Sequence, residues 1–272
     1  MYLLGFLKEG FGNKLFMLMK YIRYFKEHSK EYDGLCVAYV KSKHQEDNIF
    51  DVFPKLKDIP WLRLITWKEY DALKKDNVEI DPSFDFSKHD FIELKSFIKK
   101  YFVFDEKYDY LLEKYDTKKG IAVHMRYGDK LEINADRFRK GKPAMYLVLN
   151  KKFYEDYVRK FLEEKKGPVY VFTDTPHIQL DIPGAQYVDE KTTETFFLLT
   201  KFKRAVISDS TLSIAAGYMN FLKHEFVIPS FKLRHMTGEV VSSWYVDSDH
   251  FELVHDTSYI LAKKDYPLYL KK

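Results

Sequence analysis

His124, Arg126, Gly128 and Asp129 fall within six residues, at the end of the apolar run Gly120-Ile121-Ala122-Val123-His124-Met125. An imidazole, a guanidinium, a glycine and a carboxylate delivered together are the parts of an anion-handling site. Ligands of open α/β sheets sit outside the carboxyl ends of the strands, so a buried run that finishes in polar groups marks a place for chemistry. Arg126 carries a permanent charge on a planar fork that fits phosphate oxygens. Its alternative is a structural ion pair with Asp129. His124 is either a ligand contact or a satisfied structural histidine.

Three other stretches have the same form. Ser208-Asp209-Ser210-Thr211-Leu212-Ser213 follows an apolar run and opens a helix. The hydroxyls of Ser210, Thr211 and Ser213 and the backbone N–H groups of such a helix start suit phosphate, and they equally suit a plain N-cap. Lys8-Glu9-Gly10-Phe11-Gly12-Asn13 follows the run 2–7, and Gly10 and Gly12 let backbone N–H groups come close to a ligand. A tight turn without a ligand is the other reading. Asp174 follows the run 169–173; it can accept two hydrogen bonds from the N–H edge of a guanine, or order the turn before Pro176.

The elements that position these groups alternate. Strands are expected at 2–7, 35–40, 120–125, 169–173, 185–188, 205–208 and 225–228, and helices at 14–27, 91–102, 151–166, 192–202 and 210–222. Strands alternating with helices predict a mostly parallel sheet covered on both faces. Between 44 and 90 the pattern is broken, with Pro54, Pro60 and Pro82 marking loops and Trp61 and Trp67 packing in that region. Leu111 and Leu112 are expected core anchors. A domain boundary is placed near Thr117-Lys118-Lys119, giving halves of 1–117 and 118–272.

Composition bounds the partners. Hydrophobic residues at 46% and charged residues at 32% describe a globular chain, and a net charge of +4 spread mostly over lysines gives no focused nucleic-acid patch. Cys36 is the single cysteine, which rules out a disulfide within the chain and a thiolate metal cluster. Asp247-Ser248-Asp249 forms a D-x-D of the kind metal-dependent sugar transferases use, but it comes too late in the chain, and His250, His255 and Asp256 have no metal-ligand spacing. The amino terminus lacks a signal h-region and no apolar run is long enough to span a bilayer, so no membrane span is expected.

In order along residues 1–222, these motifs resemble the fucosyltransferase superfamily, and most closely the bacterial α-1,2-fucosyltransferases of glycosyltransferase family 11. Gly10-Phe11-Gly12-Asn13-Lys14-Leu15-Phe16 is similar to that family's G-x-G-N-Q-[LM]-F, and His124-Met125-Arg126-Tyr127-Gly128-Asp129 to its H-x-R-R-G-D. Val171-Phe172-Thr173-Asp174 stands where the family has F-S-D-D, and Ser208 to Ser213 where it has S-N-S-T-F-S. Tyr127 replaces the second arginine, Thr175 the second acidic residue, and Ile214-Ala215 the paired tryptophans.

The resemblance implies a GT-B-like α/β architecture of two Rossmann-like domains facing across a cleft, acceptor on the first and nucleotide sugar on the second. It implies inverting transfer of fucose from GDP-fucose to an oligosaccharide hydroxyl, with no required metal or other cofactor. Arg126 is then the diphosphate ligand, with His124, Asp174, Ser210, Thr211 and Ser213 around the donor. Gly10, Gly12 and Asn13 lie on the acceptor side. Glu9 stands where some protein O-fucosyltransferases place a base; Asp129 is its rival, and a reaction without a dedicated base is a third course. Other donors of the same fold, GDP-mannose, GDP-rhamnose or a UDP-sugar, stay open, as does a non-catalytic nucleotide-sugar or glycan-binding module. The expected setting is cytoplasmic glycan assembly in a bacterium or virus.

Overall fold

The computed structural model describes residues 1–40, 48–80, 87–234, 237–243 and 245–270. Pro82 lies outside the described residues. The chain divides into two compact units, Met1–Leu111 with Lys191–Phe197, and Leu112–Glu190 with Leu198–Lys272. The first division falls slightly before the expected 117/118 boundary. The return of 191–197 to unit 1 has a physical cause: its two adjacent phenylalanines join an aromatic cluster there. Phe196 meets Phe11 at 5.2 Å, and Phe197 meets Phe104 at 5.0 Å and stacks on Tyr108 at 5.7 Å between ring centroids.

Unit 1 is built on β1 (Tyr2–Leu7), β2 (Gly34–Tyr39), β3 (Leu62–Ile65) and β4 (Val78–Glu79). The sheet order is β3-β2-β1-β4, and every pairing is parallel. Strands β1 and β2 read as near-continuous apolar runs because both faces of such a sheet are covered. Helix Phe11–Glu27 follows β1 and buries Leu15, Phe16, Leu18, Met19 and Ile22 among others.

Unit 2 holds β5 (Ile121–Met125), β6 (Val169–Thr173), β7 (Gln186–Val188), β8 (Arg204–Ile207), β9 (Glu225–Pro229), β10 (Phe231–Leu233), β11 (Val240–Ser242) and β12 (Glu252–Val254). Strands β10 and β11 form a separate antiparallel pair. The main sheet runs β12-β9-β8-β5-β6-β7, all parallel. Counted from β7, that is the doubly wound order 3-2-1-4-5-6, whose direction reverses between the first and fourth strands. Here that switch point lies between β5 and β8. Helix Lys151–Glu164 packs Phe153, Tyr154, Val158 and Phe161 inward, and Asn150 caps it by accepting from the Phe153 N–H at 3.2 Å. The expectation of two α/β halves with parallel sheets is met.

Three local expectations change. The single helix at 91–102 is two, His89–Glu93 and Lys95–Tyr101, meeting at Leu94. Leu111 is buried, but Leu112 is 42% exposed on the other side of its short helix. Trp61 stacks on Phe25 at 4.6 Å, whereas Trp67 is 47% exposed.

Candidate active site

The residues at the switch point of unit 2 come together. Arg126 stands at the end of β5, and both terminal nitrogens of its guanidinium are engaged. Nη2 donates to Asp129 Oδ1 at 2.8 Å, and Nη1 pairs with Asp174 Oδ2. Asp174, at the end of neighbouring β6, also accepts from the Tyr127 and Gly128 N–H groups through Oδ1, each at 3.0 Å. Those two donors open helix Gly128–Arg139, which has no cap from its own N-cap residue, Tyr127. A carboxylate there meets unpaired N–H groups and the positive end of the helix dipole. Asp174 thus anchors Arg126 and caps the helix at once. Both of its oxygens are engaged inside the unit, and a carboxylate with about four acceptor sites keeps capacity for the expected guanine contact.

Gly128 permits this geometry. Its φ is +20°, and a Cβ would press on the Asp174 carboxylate and stand 2.7 Å from Arg126 Nη1. The arrangement requires a residue without a side chain.

Across the switch point, helix Thr211–Met219 follows β8. Ser210 is its N-cap but makes no side-chain cap bond, and the first turn has no acidic residue. Neither its N-cap side chain nor an acidic residue of its own first turn meets its N–H groups. Ser213 is buried, and its hydroxyl donates to the Ser208 and Ser210 carbonyls, both at 3.2 Å, which sets the shape of the turn. Ser210 and Thr211 are both partly exposed beside it.

Lys130 was not singled out from the sequence. Its ammonium donates to the Asp209 carbonyl at 2.6 Å, tying the Gly128 helix to the loop after β8, and burial lowers its pKa. Lys130 is the third residue of helix Gly128–Arg139, which was not expected. Arg126, Lys130 and the start of the Thr211 helix thus meet at the carboxyl ends of β5 and β8, with Asp129 and Asp174 paired to the guanidinium.

His124 is buried on β5, with Nδ1 3.4 Å from the Ser208 hydroxyl. Burial, and then repulsion from Arg126 and Lys130, pushes its pKa down to about 3. The ring is neutral at ordinary pH, so it acts as a hydrogen-bond partner and not as a cation. In the unfolded chain it protonates near 6.5. Between those values the unfolded state takes up a proton that the folded state does not, so stability falls as pH drops below about 6.5, by roughly 1.4 kcal/mol per unit. Denaturant melts should lose about 2 kcal/mol between pH 7 and 5, and His124→Asn should remove most of that loss. Parallel pH profiles for the two proteins would contradict it.

Tyr127, between Arg126 and Gly128, turns away into the core. It is fully buried against Tyr154 and Tyr269, with centroids at 6.3 and 5.6 Å. By contrast, Arg204 at the start of β8 donates to the Phe161, Lys165 and Lys119 carbonyls and is a structural arginine. Asp247 of the D-x-D accepts from the Tyr218 hydroxyl and from Asp249 and His250 N–H groups, which makes it a turn former. Among the described residues no group of three or more His, Cys, Asp or Glu side chains is placed to hold a metal ion. No helix among them is long and apolar enough to cross a membrane.

In unit 1, Glu9 and Gly10 connect β1 to its helix. Gly10 is the extended N-cap residue, and Gly12 and Asn13 lie in the first turn. Glu9 is exposed and has a φ of +68°, a left-handed conformation that no other described non-glycine residue adopts. Such strain is uncommon outside glycine and gathers at functional positions.

No protein-family model matches the chain, and no curated protein does. Among solved structures it is similar to the fucosyltransferase NodZ from Bradyrhizobium, at 12% identity and a TM-score of 0.48, covering 88% of this chain and 97% of that one. It is similar to POFUT1 in complex with GDP, at 10% identity and a TM-score of 0.49, covering 84% and 98%. It is also similar to the E. coli ADP-heptose lps heptosyltransferase II, at 10% identity and a TM-score of 0.45, covering 84% of each chain.

Proposed function

We propose that this chain is an inverting glycosyltransferase that moves fucose from GDP-fucose to a glycan hydroxyl. One observation carries the reading: at the switch point of a doubly wound sheet, Arg126 lies at the end of β5 and a helix start rich in hydroxyls, Ser210-Thr211, follows β8. That pairing suits a diphosphate, whose oxygens take a guanidinium fork and backbone N–H groups together. The choice of guanosine and fucose rests on the ordered motifs Gly10 to Phe16, His124 to Asp129 and Ser208 to Ser213.

In the proposed reaction the acceptor oxygen attacks the anomeric carbon from the side opposite the diphosphate. The bond between that carbon and the β-phosphate oxygen breaks, and its electron pair leaves with GDP. Arg126 and the donors at Ser210 and Thr211 stabilise the charge that grows on the leaving group, where preorganised donors act most strongly. Glu9 takes the acceptor proton. Asp129 is given a different part: as the exposed partner of Arg126, it holds the guanidinium until a phosphate oxygen replaces it.

Calorimetric titration with GDP, UDP and ADP tests the donor class. GDP should bind at least tenfold more tightly than the other two. A preference for UDP would sink the fucosyl assignment, and no binding of any of the three would sink the transferase reading.

A further inference from the structure

Unit 1 carries an aromatic platform near the glycine turn. Trp67, 47% exposed, opens the short helix Trp67–Leu73. Its indole stacks on Tyr70, with centroids 5.0 Å apart and planes 14° from parallel, and meets the Phe6 ring edge-on at 5.8 Å. In the sheet Phe6, Ala38 and Ile65 are aligned on β1, β2 and β3. The small Ala38 between them leaves room for the rings to meet. Trp67 comes two residues after Ile65 and Glu9 three after Phe6, so both follow carboxyl ends of parallel strands of one sheet.

The platform is rigid. Thr66 and Glu69 form a full capping box, with Glu69 N–H donating to Thr66 Oγ1 at 3.2 Å and Thr66 N–H to Glu69 Oε2 at 2.7 Å. Below the indole, the Tyr70 hydroxyl donates to Glu79. Charged groups surround it: Lys68, Glu69 and Asp71 are exposed, and the Lys8 ammonium lies 5.3 Å from the Phe6 centroid. Among the described residues, an exposed indole ringed by charged groups does not match the apolar centre of a protein interface, which needs roughly 800 Å² per partner. It does match a sugar ring, whose C–H face lies on an aromatic plane while its hydroxyls reach polar groups at the rim.

We propose that Trp67, held by Tyr70 and Phe6, is a subsite for one pyranose ring of the acceptor glycan. Its assignment to the acceptor rests on the glycosyl-transfer reading above; its binding of a sugar ring does not. The test uses the full chain with GDP on a printed array of galactose- and N-acetylglucosamine-terminated oligosaccharides. Wild type and Trp67→Phe should be retained on the same set of glycans, and Trp67→Ala should lose tenfold or more on that set. An unchanged cooperative thermal unfolding transition of Trp67→Ala shows that the variant is folded. Retention of Trp67→Ala equal to wild type, or no retention of wild type on any glycan, overturns the subsite. So does a change in sedimentation from dimer to monomer, which would make the patch a contact between copies. The array needs no turnover, so it decides the subsite whatever the nucleotide titration gives.

Discussion

Arg126→Ala should lower transfer by about 10²- to 10³-fold, the usual loss when one preorganised donor to a developing charge is removed. GDP affinity should fall with it. Arg126→Lys should recover little, because an ammonium keeps the charge but cannot hold Asp174 and a phosphate through a planar fork. The two aspartates that share the guanidinium are not equivalent. Asp174 is fixed by two backbone N–H groups besides the arginine, while the Asp129 side chain is 60% exposed and pairs with Arg126. An exposed pair of that kind contributes at most about 1 kcal/mol, so a diphosphate can replace Asp129 and leave Asp174 in place. Asp129→Asn should therefore bind GDP up to roughly fivefold more tightly and keep its transfer activity. Collapse of transfer in Asp129→Asn, with GDP binding unchanged, would make Asp129 the base instead. Wild-type activity in Arg126→Ala would overturn the site.

Glu9→Gly should yield a more stable protein that no longer transfers. A residue with a side chain costs about 1–2 kcal/mol in the left-handed region, and part of the relief is offset by the extra freedom glycine has when unfolded. The net gain should be roughly 1 kcal/mol, seen as a rise of about 2–4 °C in Tm. Transfer should fall by about 10²- to 10⁴-fold, as for loss of a general base. Glu9→Gln keeps the length of the side chain and should lose transfer while GDP affinity stays the same. A stabilised Glu9→Gly enzyme with full activity would return Glu9 to the role of an ordinary turn residue and favour a reaction without a dedicated base.

The buried strands were legible because β1, β2, β5, β6, β8 and β9 are short apolar runs with clear ends. The polar residues that follow β5, β6 and β8 were legible for the same reason. Their joint work was not. Helix Gly128–Arg139 begins with a glycine, alternates charged and apolar residues, and takes its cap from Asp174, 46 positions away. A cap supplied by tertiary contact leaves no local signal. Without that helix, Lys130 could not be placed beside Arg126, and the capping part of Asp174 could not be seen. Tyr127 posed the same difficulty in reverse: an aromatic residue between an arginine and a glycine says nothing about which way it points. The strain at Glu9 is a backbone property, and the residue types alone do not record it.

The central claim is that a nucleoside diphosphate is held where β5 and β8 part, by Arg126 and the start of the Thr211 helix. A crystal structure of the chain with GDP tests it most directly. The account predicts diphosphate density within hydrogen-bond reach of Arg126 and of the N–H groups that open the Thr211 helix, with Asp129 released from the guanidinium and Asp174 still bound to it. GDP lodged elsewhere, with the Arg126–Asp129 pair intact, would contradict it.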